Sequence, residues 1–184
     1  MVLTYGGNRM DVANVYVDFK LAVEEGTSFF RVLAQCFIYK DSHDDPILIG
    51  EASLHLFNPV KTSYLDLCGE ADCLSDKLSY SLISLEKFYE VDKINSIVAV
   101  FHTLNLKEPW DEKELSIAIY KKLEDKLSLL NVELILISNS RHQSIDNIIS
   151  LSPYFNELGF TSFKKENEPI IMYKQISNTY AEIN

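Results

Sequence analysis

The stretch "INSIVAVFHTLNLKEPWDEKELSIAIYKKLEDKLSLLNVELILISN" occupies residues 94–139, and its periodicity changes twice. Residues 94–106 are strongly apolar and rich in β-branched side chains, as in a buried strand. From about Glu112 to Leu130 the apolar positions Leu115, Ile119, Leu123, Leu127 and Leu130 recur at helical spacing, forming one stripe. "VELILISN" (132–139) is then almost uniformly apolar, the pattern of a strand covered on both faces. A strand, a helix and a strand in this order make a right-handed crossover with parallel strands, so a mixed sheet flanked by helices is expected.

Upstream lie three segments rich in β-branched and aromatic residues, "NVYVDFKLAV" (14–23), "SFFRVLAQCFIYK" (28–40) and "PILIGEASLHLF" (46–57). Their connectors "EEGT" and "DSHDDP" carry turn chemistry, which predicts an antiparallel meander. In the third segment Leu48, Gly50, Ala52 and Leu54 alternate with Ile49, Glu51, Ser53 and His55, and Gly50 marks an expected bulge. "NPVKTSYLDLCGEAD" reads as a looser stretch. In "CLSDKLSYSLISLEKFYE" the residues Leu74, Leu78, Leu82, Leu85 and Tyr89 fall on one helical face, with Asp72 as the expected N-cap. Downstream, a helix over 144–158 ends at Gly159-Phe160, and "FTSFKK" with "PIIMYKQI" forms a hairpin around "ENE". The reading is therefore an α/β mixed sheet: a meander, a strand-helix-strand crossover, a further helix and a C-terminal hairpin. A chain of 184 residues suits one core, so 1–176 is read as a single domain and 177–184 as a flexible tail.

A formal net charge of −10 opposes attraction to nucleic acid or anionic lipid and suits a cationic partner or an amine-bearing substrate. No apolar run reaches membrane-span length, and "MVLTYGGNRMDV" lacks the apolar core of a signal peptide, so a cytoplasmic location is expected. Cys36, Cys68 and Cys73 suit neither a disulfide framework nor a four-cysteine zinc site, and they read as reduced thiols with no metal. His43, among the aspartates of "DSHDDP", lacks calcium-loop spacing and reads as part of a solvated turn. His55 and His102 sit among apolar strand residues and read as core or half-exposed histidines. Arg141 and His142 follow the apolar strand at the edge where ligands bind parallel sheets. Trp110 reads as a hydrophobic staple to the following helix, with a partner anchor as the alternative. No Walker sequence, dinucleotide fingerprint, serine elbow or metalloprotease pair is present.

The order of elements over 29–175, together with "YFNELGFTSFKKENEPIIMYKQ" (154–175), resembles the GNAT acyltransferase family. The resemblance implies a GNAT fold, transfer of an acyl group from acetyl-CoA or another acyl-CoA, and an amine acceptor. It implies that the strand edge at Leu104 and Leu106, with Ser116 and Asn147, holds the cofactor. In the family, a basic residue and spaced glycines after the long strand grip the coenzyme A diphosphate at a helix N-terminus. Here Asp111 stands for the basic residue, and Glu112, Glu114 and Ser116 stand for the glycines. Asp111 with Glu114 makes a capping pair that occupies the helix donors itself. A carboxylate about 5 Å from a phosphate adds a cost of roughly 1 to 3 kcal/mol. Lys107 and Lys113 offset part of it. The family's proton-donating tyrosine falls at Phe155, one residue after Tyr154; a bulge at Pro153 would bring the Tyr154 hydroxyl inward as the general acid, and without one Tyr154 reads as a structural or surface tyrosine.

Two readings follow. One is a divergent acyl-CoA-dependent N-acyltransferase whose acidic surface draws its amine substrate. The other is an inactive, acidic GNAT-fold protein that binds a basic protein partner as an inhibitor or DNA mimic.

Overall fold

A computed structural model describes residues 2–5, 8–11, 15–39, 45–90, 93–110, 113–138, 155–164 and 170–176. It opens with an antiparallel hairpin that hydrophobic periodicity does not signal, β1 (Val2–Tyr5) and β2 (Asn8–Asp11), forming a sheet of its own. The predicted meander follows as β3 (Val15–Val23), β4 (Phe30–Ile38) and β5 (Ile47–Phe57). Two helices come next, α1 (Tyr64–Leu74) and α2 (Asp76–Leu85), then β6 (Ile97–Leu106), α3 (Lys113–Leu129) and β7 (Val132–Ser138). The C-terminal hairpin is β8 (Thr161–Phe163) and β9 (Ile171–Gln175). The seven strands from β3 onward form one sheet in the order β3-β4-β5-β6-β7-β9-β8. Every neighbouring pair is antiparallel except β6 and β7, which run parallel as the crossover requires.

Residues 58–89 depart from the expectation: the stretch 58–72 contains most of α1 in place of a loose connection, and the N-cap of α2 is Ser75, not Asp72, its side chain accepting from the Leu78 amide at 3.1 Å. Asp72 lies inside α1. The break occurs because Ser75 adopts extended backbone while its own amide still bonds the Ala71 carbonyl. A serine offered as a cap competes with helix continuation. The periodicity of α1 was weak because only Leu67 and Ala71 are buried on it and exposed Gly69 interrupts it. Ser63, its N-cap, accepts from the Asp66 amide at 3.2 Å.

Strand alternation sorts the core into two layers. On one face Val32, Ala34, Cys36 and Ile38 of β4, with Ala99 and Phe101 of β6 and Ile135 and Ile137 of β7, pack under Leu115, Ile119, Leu123 and Leu127 of α3. On the other face Phe57, Val98, Val100, Leu134 and Leu136 pack under Leu67, Ala71, Leu78, Leu82 and Leu85 of α1 and α2. Each fully buried leucine of these stripes contributes about 1.5–3 kcal/mol.

Two irregularities shape the centre of the sheet. Cys36 pairs with Gly50 and Phe37 with Leu48, so the expected bulge is present and its extra residue is Ile49. Gly50 itself serves close approach, since a Cβ there would stand 2.5 Å from the Asn105 carbonyl oxygen. The second bulge lies in β6, where Ser53 pairs with Thr103 and Leu54 with Phe101. His102 is the extra residue. It reverses the alternation of the strand, so that Phe101, Leu104 and Leu106 all pack on the α3 layer.

Candidate active site

β6 and β7 part immediately beside the bulge. Their last paired residues are Phe101 and Ile137, after which β6 continues to Leu106 with β5 as its only strand partner among the described residues. Leu104 pairs with Ala52 and Leu106 with Gly50. Residues 102–106 therefore present to the fork an edge whose backbone is unclaimed by β7, and a strand edge is a template for an extended, amide-bearing ligand.

The face opposite α3 carries a connected group of polar side chains at this point. His55 Nδ1 of β5 and His102 Nε2 of β6 are 2.7 Å apart, with the rings edge to face at a centroid distance of 4.7 Å. His55 Nε2 lies 3.5 Å from Glu24 Oε1, in the turn after β3, and Arg31 Nε of β4 approaches the same oxygen at 3.3 Å. The turn is positioned by α1, whose Glu70 carboxylate accepts from the Ser28 amide at 2.6 Å. Gly26 at φ 74° supplies the left-handed residue that the turn needs. From α2, the Lys77 ammonium donates to the carbonyl of His102. A bulge withdraws backbone groups from the ladder, and Lys77 satisfies the one that this bulge exposes.

These contacts set the protonation states. Burial lowers the pKa of His102 to about 3, with the neighbouring His55 and Lys77 adding to the depression. Burial also lowers the pKa of His55, partly offset by Glu24. Lys77, half-buried on α2, is lowered by desolvation to about 8. At neutral pH both imidazoles are uncharged. A carboxylate only accepts, so Glu24 favours the hydrogen of His55 on Nε2. His55 Nδ1 then accepts from His102 Nε2, and the free lone pair of the group stands on His102 Nδ1.

On the α3 side of the fork an aromatic stack closes the core. Phe101 and Tyr120 have centroids 4.9 Å apart, Tyr120 and Phe155 5.1 Å, and Phe155 and Phe160 5.4 Å. Phe155 is buried, and burial raises the pKa of the Tyr120 phenol, which keeps its proton. Trp110 packs against the same layer just ahead of α3. Glu114 is exposed in the first turn of α3, and Lys113 pairs with Glu157 at 3.2 Å.

The sequence-derived site is thus brought together only in part. Leu104 and Leu106 line the fork through their backbone, and Ser116 sits half-buried in α3. Tyr154, Asn147, Asp111, Glu112, His43, Arg141 and His142 lie outside the described residues. His55 and His102 are half-exposed strand histidines, as expected, but nothing in the sequence signals their contact or the part of Lys77 in it. The signal that could have joined the histidines is a β5-β6 register, and the bulge at His102 conceals it.

No protein-family model matches the sequence, and no curated protein matches it. Solved structures do. An agmatine N-acetyltransferase, crystallised as an apo mutant, superposes with a TM-score of 0.50 at 6% identity, covering 78% of this chain and 74% of that one. A polyamine N-acetyltransferase of Drosophila melanogaster gives 0.49 at 6% identity over 78% and 74%. An N-acyl amino acid synthase from uncultured soil microbes gives 0.47 at 11% identity over 88% and 90%. The chain has the GNAT acetyltransferase fold. At these identities the likeness is one of fold.

Proposed function

We propose that the protein is an N-acyltransferase that moves an acyl group from acetyl-CoA or a related acyl-CoA to an amine. The observation that carries the reading is the fork beyond Phe101 and Ile137, where an unclaimed backbone edge adjoins a half-buried, uncharged histidine pair. The described residues fit the amide-bearing arm of such a donor better than its diphosphate. The edge at Leu104 and Leu106 offers ladder partners to the arm, whereas the turn before α3 and the first residues of that helix carry Glu108 and Glu114 as well as Lys107 and Lys113. Ser116 and Asn147 are the further contacts proposed for the donor.

When bound, a coenzyme A thioester supplies an activated acyl carbon and a sulfur leaving group. The protein's own residues manage the protons. His102 Nδ1 takes a proton from the attacking nitrogen, and the depressed basicity of the ring keeps that lone pair free at working pH. So weak a base does not deprotonate a free ammonium, so the amine reacts from its neutral form, having released one proton to solvent, and His102 takes the second as the C–N bond forms and the N–H becomes acidic. His55 orients His102, and Glu24 fixes the tautomer of His55. A phenol supplies the opposite proton. Tyr154 is the residue proposed from the sequence, and Tyr120 is the described phenol beside Phe101 and Phe155.

Thermal denaturation with acetyl-CoA and with S-acetylpantetheine tests the reading. Both ligands are expected to raise the melting temperature by similar amounts, since a ligand of the native state stabilises it. Replacement H102Q should keep that shift and lower the acylation rate by about a hundredfold or more. Melting curves unmoved by either ligand at millimolar concentration would remove the proposal.

A further inference from the structure

The outer edge of the seven-stranded sheet is β3, a nine-residue strand that pairs with β4 alone among the described residues. Its register with β4 is unbroken from Val15 to Val23, and it holds neither proline nor glycine. Edge strands in soluble proteins are usually shortened, bulged or interrupted, because a long regular edge recruits another strand. The opposite edge, β8, follows that practice with three residues. β3 does not.

The sequence of β3, VYVDFKLAV, is complementary to itself when reversed about Phe19. In an antiparallel pair of two copies with the two-fold axis at Phe19, Asp18 of each chain faces Lys20 of the other. On the same face Tyr16 meets the small side chain of Ala22. On the other face Val15 meets Val23, Val17 meets Leu21, and the two Phe19 rings meet at the axis. Alternation along a strand makes these two sets segregate, one polar and one apolar. Tyr16, Leu21 and Val23 are 45%, 51% and 66% exposed, and Asp18 and Lys20 are exposed as well.

We infer that β3 is a homodimerisation edge, and that two copies join through it into one continuous sheet with isologous symmetry. The two charges that would repel a foreign strand are the two that the symmetry pairs. Like charge limits the strength of the association. Lys126 of α3 holds its ammonium 5.2 Å from the Tyr16 ring centroid and 5.7 Å from that of Phe19, and each chain carries a net charge of −10. The dimer is therefore weak and forms as concentration rises. This inference is independent of any catalytic role, since the edge lies at the far side of β4 and β5 from the fork.

Sedimentation equilibrium across the micromolar to millimolar range reads the association constant. Variants D18K and K20D each place like charges opposite one another twice across the axis, and each should weaken the dimer by about tenfold or more. The double variant D18K/K20D restores both pairs with their signs exchanged, and it should return to near wild-type association. In a C73S background, oxidation of F19C should give a disulfide-linked dimer, because facing residues of an antiparallel pair lie within disulfide reach. A wild type that stays monomeric throughout, or a double variant that associates no more tightly than the single ones, overturns the inference.

Discussion

Lowering the pH from 7 to 5 should unfold this protein more readily, through the histidine pair. In the unfolded chain each histidine titrates near 6.5, whereas in the folded state His102 is held to about 3. The groups facing it are His55 from β5, Lys77 from α2, and, through His55, Glu24 and Arg31. Burial and the two neighbouring bases disfavour the imidazolium, so below pH 6.5 the unfolded state binds a proton that the folded state refuses. Stability therefore falls as the pH falls, through the window between the unfolded value of 6.5 and the folded value of about 3. Linkage gives about 2 kcal/mol lost between pH 7 and pH 5 for His102 alone, and His55 shifts in the same direction. For a chain of this size that is a drop of about 4–8 °C in melting temperature. Urea denaturation followed by circular dichroism at pH 7, 6 and 5 measures it. The variant H102Q keeps a side-chain donor and has no proton to gain, so its loss over the same range should be smaller by about 2 kcal/mol. Equal losses in wild type and variant would show that His102 is not a suppressed base and would refute the reasoning.

Two other outcomes follow from the packing. Gly50→Ala drives a methyl group against the β6 backbone at Asn105, which cannot yield as a side-chain end would, and a cost of about 1–3 kcal/mol is expected in the same denaturation assay. Thiol titration of the native protein should find exposed Cys73 reactive and Cys36 silent until unfolding, because burial and Glu51 push the Cys36 thiol up to about 12. Prompt reaction of Cys36 in the folded protein would contradict its burial.

The fold was legible where periodicity was strong. The leucine stripe of α3 and the apolar run of β7 specify elements buried on a stripe or on both faces, and the meander carries ordinary turn chemistry between β-branched segments. Legibility failed where a local signal was faint or ambiguous. α1 buries only Leu67 and Ala71, and Ser75 sits at a point that either continues a helix or caps a new one. The first hairpin brackets a Gly6-Gly7 pair, a turn signal that its short strands do not advertise by alternation. The site was less legible than the fold, and for a physical reason. The contact between His55 and His102 depends on which residues of two distant segments stand opposite, and a single extra residue in β6 changes that assignment. Lys77 acquires its role only when α2 lies over the bulge.

The placement of the covering helices has a consequence for how the chain is made. β3, β4 and β5 leave the ribosome before the layers that shield them, which are encoded later, α1 and α2 by residues 64–85 and α3 by residues 113–129. Until residue 129 has emerged, the nascent meander has one side open to any sticky surface nearby, along with the free rim at β3. Slowing translation within the α3 codons should thus raise the fraction of product lost to aggregation, while the same pause placed after β7 should leave the yield unchanged.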